Sequence, residues 1–191
     1  MLRILAPAVL GVALGLTPSA TGQPPTPAPV NANAAILLEF TRRVEAYVAL
    51  HRKLEATLPN LKEQTTPDLI DKHQRAMEQL LRGARKDAKQ GDLFTTAMRR
   101  LVRQLLGPIF SGPDGQQVRA EILDDEYTGS VKLVVNGRYP DEVPISTMPP
   151  KVLAQLPKLP EELEYRFIHT NLILFDSHAH LIADYVAQAF R

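Results

Sequence analysis

Apolar residues recur with a helical period through the first half of this chain and with a strand period at its end. Over residues 33–58, Leu37, Phe40, Val44, Tyr47, His51, Leu54 and Leu58 follow alternating steps of three and four, running on to Leu61. That is the seam of a helix packed along its length on a partner. Residues 41–45 and 52–55 lie mostly off the seam and are expected to face water, and Pro59 ends the helix. Thr66-Pro67-Asp68 announces a second helix: Thr66 suits the N-cap, Pro67 the first helical position, and Asp68 the positive end of the dipole. Its apolar face holds Leu69, Ile70, His73, Met77, Leu80, Leu81 and Ala84, and Gly91 stops it. A third helix is expected over residues 95–106, broken by Gly107-Pro108, and a short fourth over 116–123 after the turn cluster at 111–115.

The period then changes. Residues 131–135 are rich in β-formers and run into Asn136-Gly137, a dipeptide that favours a tight hairpin. Residues 148–159 are punctuated by proline, with room for about one helical turn. The last thirty residues read as a three-stranded meander with strands at 163–168, 172–176 and 180–186, and Leu163, Tyr165 and Phe167 share one face of the first. Helices first and strands afterwards predict an α+β fold: an antiparallel helical hairpin and one or two further helices on a small C-terminal antiparallel sheet. The helical part spans residues 33–125 and the β-rich part 126–191, expected to form one compact domain.

The N-terminus adds a compartment. Arg3 precedes an apolar run over residues 4–16, and Ser19, Ala20, Thr21 and Gly22 supply small residues, so residues 1–22 read as a secretory signal peptide cleaved near Ala20 or Gly22. Residues 23–32 form a linker, with four prolines among residues 23–30. The mature chain is expected to be periplasmic or secreted, with no membrane span, since no second long apolar run follows. There is no cysteine, which removes disulfides, thiolate metal sites and a lipidated cysteine. Of the 22 Lys and Arg, Arg3 leaves with the leader, and 21 Asp and Glu oppose the rest. A formally neutral body argues against a nucleic-acid partner.

Candidate chemistry centres on histidine. In an antiparallel hairpin of the first two helices, His51 faces His73. Two imidazoles in one apolar layer can bind a divalent transition metal or haem, or loosen the hairpin when both are charged near pH 6. The same rings at the rim, bonded to Gln74, Glu55 or water, are structural. A second set is Asp176, His178 and His180, in which His-x-His would place two rings on one face of a strand with Asp176 as an oxygen ligand. The Asp-Ser-His stretch is also ordinary turn chemistry. Arg82, Arg85, Lys86 and Lys89 fall on one helix face and can meet an anion, or simply face water. Asp124-Asp125-Glu126 lacks the spacing of a calcium loop. No catalytic residue is assigned: nucleophile elbows, zinc-protease helices, phosphate loops and dinucleotide fingerprints are missing from the sequence.

Residues 89–95 (KQGDLFT), 159–167 (LPEELEYRF), 172–176 (LILFD) and 181–184 (LIAD) resemble a group of uncharacterised exported bacterial proteins over most of the mature chain. The resemblance implies export and no particular chemistry. The closing hairpin is also similar in strand pattern, though not in ligands, to small periplasmic metal-homeostasis proteins. The expected function is therefore a non-enzymatic binding or interaction module of the cell envelope, without a cofactor, whose partner is an envelope protein or small ligand. The alternatives are a metal-binding envelope protein, with a divalent transition metal as cofactor, and a hydrolase of unrecognised type.

Overall fold

The computed structural model describes residues 31–61, 65–122, 129 and 131–190. The expected signal peptide, most of the expected proline linker and Asp124-Asp125-Glu126 lie outside the described residues. The fold is α+β: among the described residues, five helices precede a three-stranded antiparallel meander. No helix among the described residues is long and apolar enough to cross a membrane.

Helix α1 (Ala32–Glu55) starts within the expected linker, because the Asn31 side chain accepts a hydrogen bond from the Asn33 N–H and caps it. Its seam buries Phe40, Val44, Tyr47 and His51, with Val48 added. Helix α2 (Pro67–Ala84) starts at the expected proline but buries only Met77, Glu78 and Leu81. Leu69 and Ile70, expected in the core, are 50% and 40% exposed. The first half of α2 therefore stands at the edge of the core, and the hairpin is not packed along its full length. Glu78 is buried instead, with Arg82 Nη1 at 3.0 Å and Arg138 Nη1 at 3.6 Å supplying counter-charge.

Helix α3 (Thr96–Ser111) runs through Gly107-Pro108, where a break was expected. Proline removes one N–H and leaves the carbonyl of Gln104 without its helical donor. Gln104 is exposed, so water can serve that carbonyl, and the apolar face continues to Phe110, which stacks on Phe190 at 3.9 Å. Helix α4 (Gly115–Ile122) and the single turn α5 (Pro150–Leu153) follow as expected.

Strands β1 (Leu163–Ile168), β2 (Asn171–Asp176) and β3 (Leu181–Val186) pair in sequence order. Leu174 pairs with Asp184 and Phe175 with Ile182, so Ala183 is the extra residue of a bulge. The helices cover the face bearing Leu163, Tyr165, Phe167, Leu172 and Leu174. Ile168, Ile173, Phe175 and Ile182 form a second cluster on the other face with Tyr139 and Val143.

That second cluster corrects the reading of residues 131–137. They form no local hairpin. Asn136 adopts the left-handed conformation, φ 59°, and turns the chain onto the edge of β3. There the N–H groups of Asn136 and Tyr139 donate to the carbonyls of Ile182 and His180, and Ile182 N–H donates to Gly137. The Asn136 side chain accepts from Arg85 Nη1 at 2.6 Å and donates to the Arg85 carbonyl at 2.8 Å. Hairpin chemistry supplied the turn, but the free edge of β3 offered better pairing and an apolar face to cover.

Candidate metal centre

Tyr47, His51 and Glu55 stand four residues apart and so share one face of α1. β2 ends opposite this stripe. Asp176 belongs to the helix-facing side of the strand, in step with Leu172 and Leu174, and is fully buried. Its Oδ1 accepts the Ala179 N–H at 2.9 Å, which folds residues 176–179 into a tight turn. Its Oδ2 accepts two hydrogen bonds of 2.7 Å each, from the Tyr47 hydroxyl and from His51 Nδ1–H. The turn presents His178, whose Nδ1 lies 2.9 Å from Glu55 Oε1 and whose ring meets that of His51 edge-on at 5.3 Å.

This arrangement fixes the tautomer of His51. A carboxylate only accepts, so Nδ1 carries the hydrogen, and Nε2 of the neutral ring presents a lone pair. Nε2 is buried without a hydrogen bond. Glu55 Oε2 lies 3.3 Å from it, close to the ~3.3 Å that separates two ligands bound tetrahedrally to one zinc ion at ~2.0–2.1 Å. One ligand atom each from His51, Glu55 and His178 lies within 4.8 Å of the other two. His73 Nε2 is 3.6 Å from Glu55 Oε1 at the rim.

The electrostatics favour a cation. Glu55, Asp176 and Glu162 contribute three carboxylates around the rings. The Arg52 guanidinium donates through Nε to Glu162, and the Arg85 guanidinium lies over the Tyr47 ring. Burial alone would depress the pKa of His51. The hydrogen bond to Asp176 and the charges of Asp176, Glu55 and Glu162 outweigh it, so the pKa stands above its ordinary value. Carboxylates flank both rings of the expected pair: Asp176 and Glu55 stand beside His51, and Glu55 beside His73. Burial and then Asp176 push the Tyr47 phenol well above its usual range, keeping it a donor. Burial raises Glu162, but the Arg52 hydrogen bond overrides it and its carboxyl titrates below the usual range.

The two histidine sets expected from the sequence thus merge and then divide differently. His51, His73, Asp176 and His178 come together, but Asp176 accepts from the His51 ring and is not among the three residues His51, Glu55 and His178 whose ligand atoms converge. His180 leaves the set. The turn at residues 177–180 is not a strand, His180 adopts φ 52°, and its ring packs against Phe175 at 5.3 Å and Tyr139 at 5.7 Å. It reaches Asp141 Oδ1 at 3.6 Å, on the far side of the sheet. The sequence pattern did not single out Glu55 as a candidate ligand or Tyr47 as a partner of Asp176; their four-residue spacing from His51 was the available signal. Arg82 and Arg85 hold the fold: they donate to the Asn136 carbonyl and side chain, and Arg85 also lies 4.8 Å over the Tyr47 ring. Lys86 and Lys89 are exposed.

No family model, curated protein or solved structure matches this chain.

Proposed function

We propose that this chain is an exported binding module of the cell envelope whose ligand is a divalent transition metal, held by His51, Glu55 and His178. One observation carries the reading: a fully buried His51 whose Nδ1 is locked onto Asp176 while Nε2 has no hydrogen bond and faces Glu55. An imidazole with its second nitrogen fixed by a carboxylate is the recurrent support of protein-bound metal. A buried acceptor without a partner costs roughly 1–3 kcal/mol, and an ion at Nε2 removes that cost. Two imidazoles and a carboxylate suit zinc, nickel, copper or cobalt over calcium or magnesium.

Equilibrium dialysis of the mature chain against zinc, nickel, copper and cobalt, with elemental analysis, tests the proposal. One equivalent of metal is expected at micromolar concentration. His51→Gln and His178→Gln should each lose it, while His180→Gln, across the sheet, should retain it. Failure of the mature chain to retain any of the four metals, or equal retention by the His51 variant, overturns the reading.

A further inference from the structure

Three protein donors leave a tetrahedral ion one position short, the hallmark of a site that binds something besides the protein. A cavity of about 750 Å³ is lined by Glu55, His73 and His178. This is far more than a coordinated water needs and falls in the range of small-ligand sites. On its wall stands Arg52. Glu162 engages its Nε edge and leaves the terminal amino groups with no other hydrogen bond among the described residues. Such a fork is suited to a carboxylate or phosphate. Gln74 also lines the cavity, and its amide spans to the Ser177 carbonyl only at 3.4 Å, long enough to be given up to a ligand. Leu61 and Ile70 give the same wall an apolar part. Glu55 goes to the ion in this arrangement, and Glu162 accepts from Arg52 through one oxygen.

We infer that the bound ion keeps one position open toward this cavity, and that a small oxyanion ligand fills it while hydrogen-bonding Arg52. The inference rests on the metal reading above, and it makes the metal a bridge between the protein and a carboxylate- or phosphate-bearing molecule. The competing arrangement places His73 in the fourth position and closes the site.

The mature chain loaded with cobalt(II) reports the difference, because the visible bands of the ion change with its ligands. Acetate and methyl phosphate are titrated in separate arms. A saturable band shift is expected, and the anion acting at lower concentration identifies the headgroup class. Arg52→Gln should weaken that anion about tenfold, equivalent to one charge-assisted hydrogen bond. Bands that neither anion moves overturn the inference and leave the metal reading standing. A spectrum that His73→Gln alters while both anions leave it unchanged also overturns it, by showing a closed site. Absence of cobalt uptake overturns both readings.

Discussion

Asp176 touches no ion in the proposed site, yet it should control binding through the tautomer of His51, and Asp176→Asn isolates that effect. The asparagine carbonyl can still accept the Ala179 N–H, so the turn carrying His178 is retained. Its amino group then faces His51 Nδ1 from the place where Oδ2 accepted at 2.7 Å. A donor there makes Nδ1 the acceptor and moves the ring hydrogen to Nε2, the atom that must hold the ion. Binding metal forces the ring back and sets two N–H groups against each other. Losing a buried hydrogen bond of this kind costs about 1.5–3 kcal/mol, which corresponds to roughly a 10–100-fold weaker metal affinity. The exchange of a charge-assisted bond for a neutral one should cost about 1–3 kcal/mol of stability, within the ~5–15 kcal/mol available to a domain. The variant is therefore expected to fold. Competition titration against a zinc chelator gives the affinity and thermal melting the stability. Tyr47→Phe is the matched control. It deletes the other 2.7 Å bond to Oδ2 and leaves Nδ1–H in place. It should lose about 0.5–1.5 kcal/mol of stability and keep its affinity within a few-fold. Equal affinities for Asp176→Asn and the parent chain, or equal losses in the two variants, would refute the tautomer argument.

Four further outcomes follow from the same structure. Protons compete with the ion for His51, whose pKa stands above its ordinary value; zinc affinity measured calorimetrically should therefore fall between about pH 8 and pH 6, with proton release on binding. In the metal-free chain the sign reverses: protonated His51, flanked by Asp176, Glu55 and Glu162, adds stability below its unfolded pKa that is lost as pH rises through the raised one. Asp184→Asn should destabilise by roughly 2–4 kcal/mol in chemical denaturation, because the carboxylate accepts from the N–H groups of Gly91, Leu93, Phe94 and Tyr185 and leaves no place for an amide donor. Asn136→Ala should cost about 2–4 kcal/mol, combining left-handed backbone strain with two lost bonds to Arg85; Asn136→Gly should recover only the backbone part, and identical melting of the two variants would count against that division.

Periodicity alone located nearly every helix and all three strands, because burial of one face imposes a 3.6- or 2-residue repeat that survives in any tertiary setting. It failed where one local rule met a stronger partner. Gly107-Pro108 breaks an isolated helix, but beside an exposed carbonyl and ahead of the Phe110–Phe190 stack it does not. Residues 131–137 carry hairpin chemistry, but the edge of β3 was the available sheet. Leu69 and Ile70 match the period of a buried face, yet the core ends before reaching them.

The histidines divide along the same line. Local pattern was enough to place His51 on a buried helix seam and Asp176 and His178 about one turn. It also placed Glu55 one helical turn beyond His51. Whether these two local groups meet depends on how the chain folds across the 125 positions that separate His51 from Asp176, and no spacing rule reaches that far. Only the tertiary structure set the end of β2 against α1. That contact moved Asp176 behind the His51 ring, sent His180 to the opposite face, and left Nε2 of His51 buried without a hydrogen bond. Local patterns specify faces and turns because their physics is local; a coordination sphere is a coincidence in space, and packing decides it.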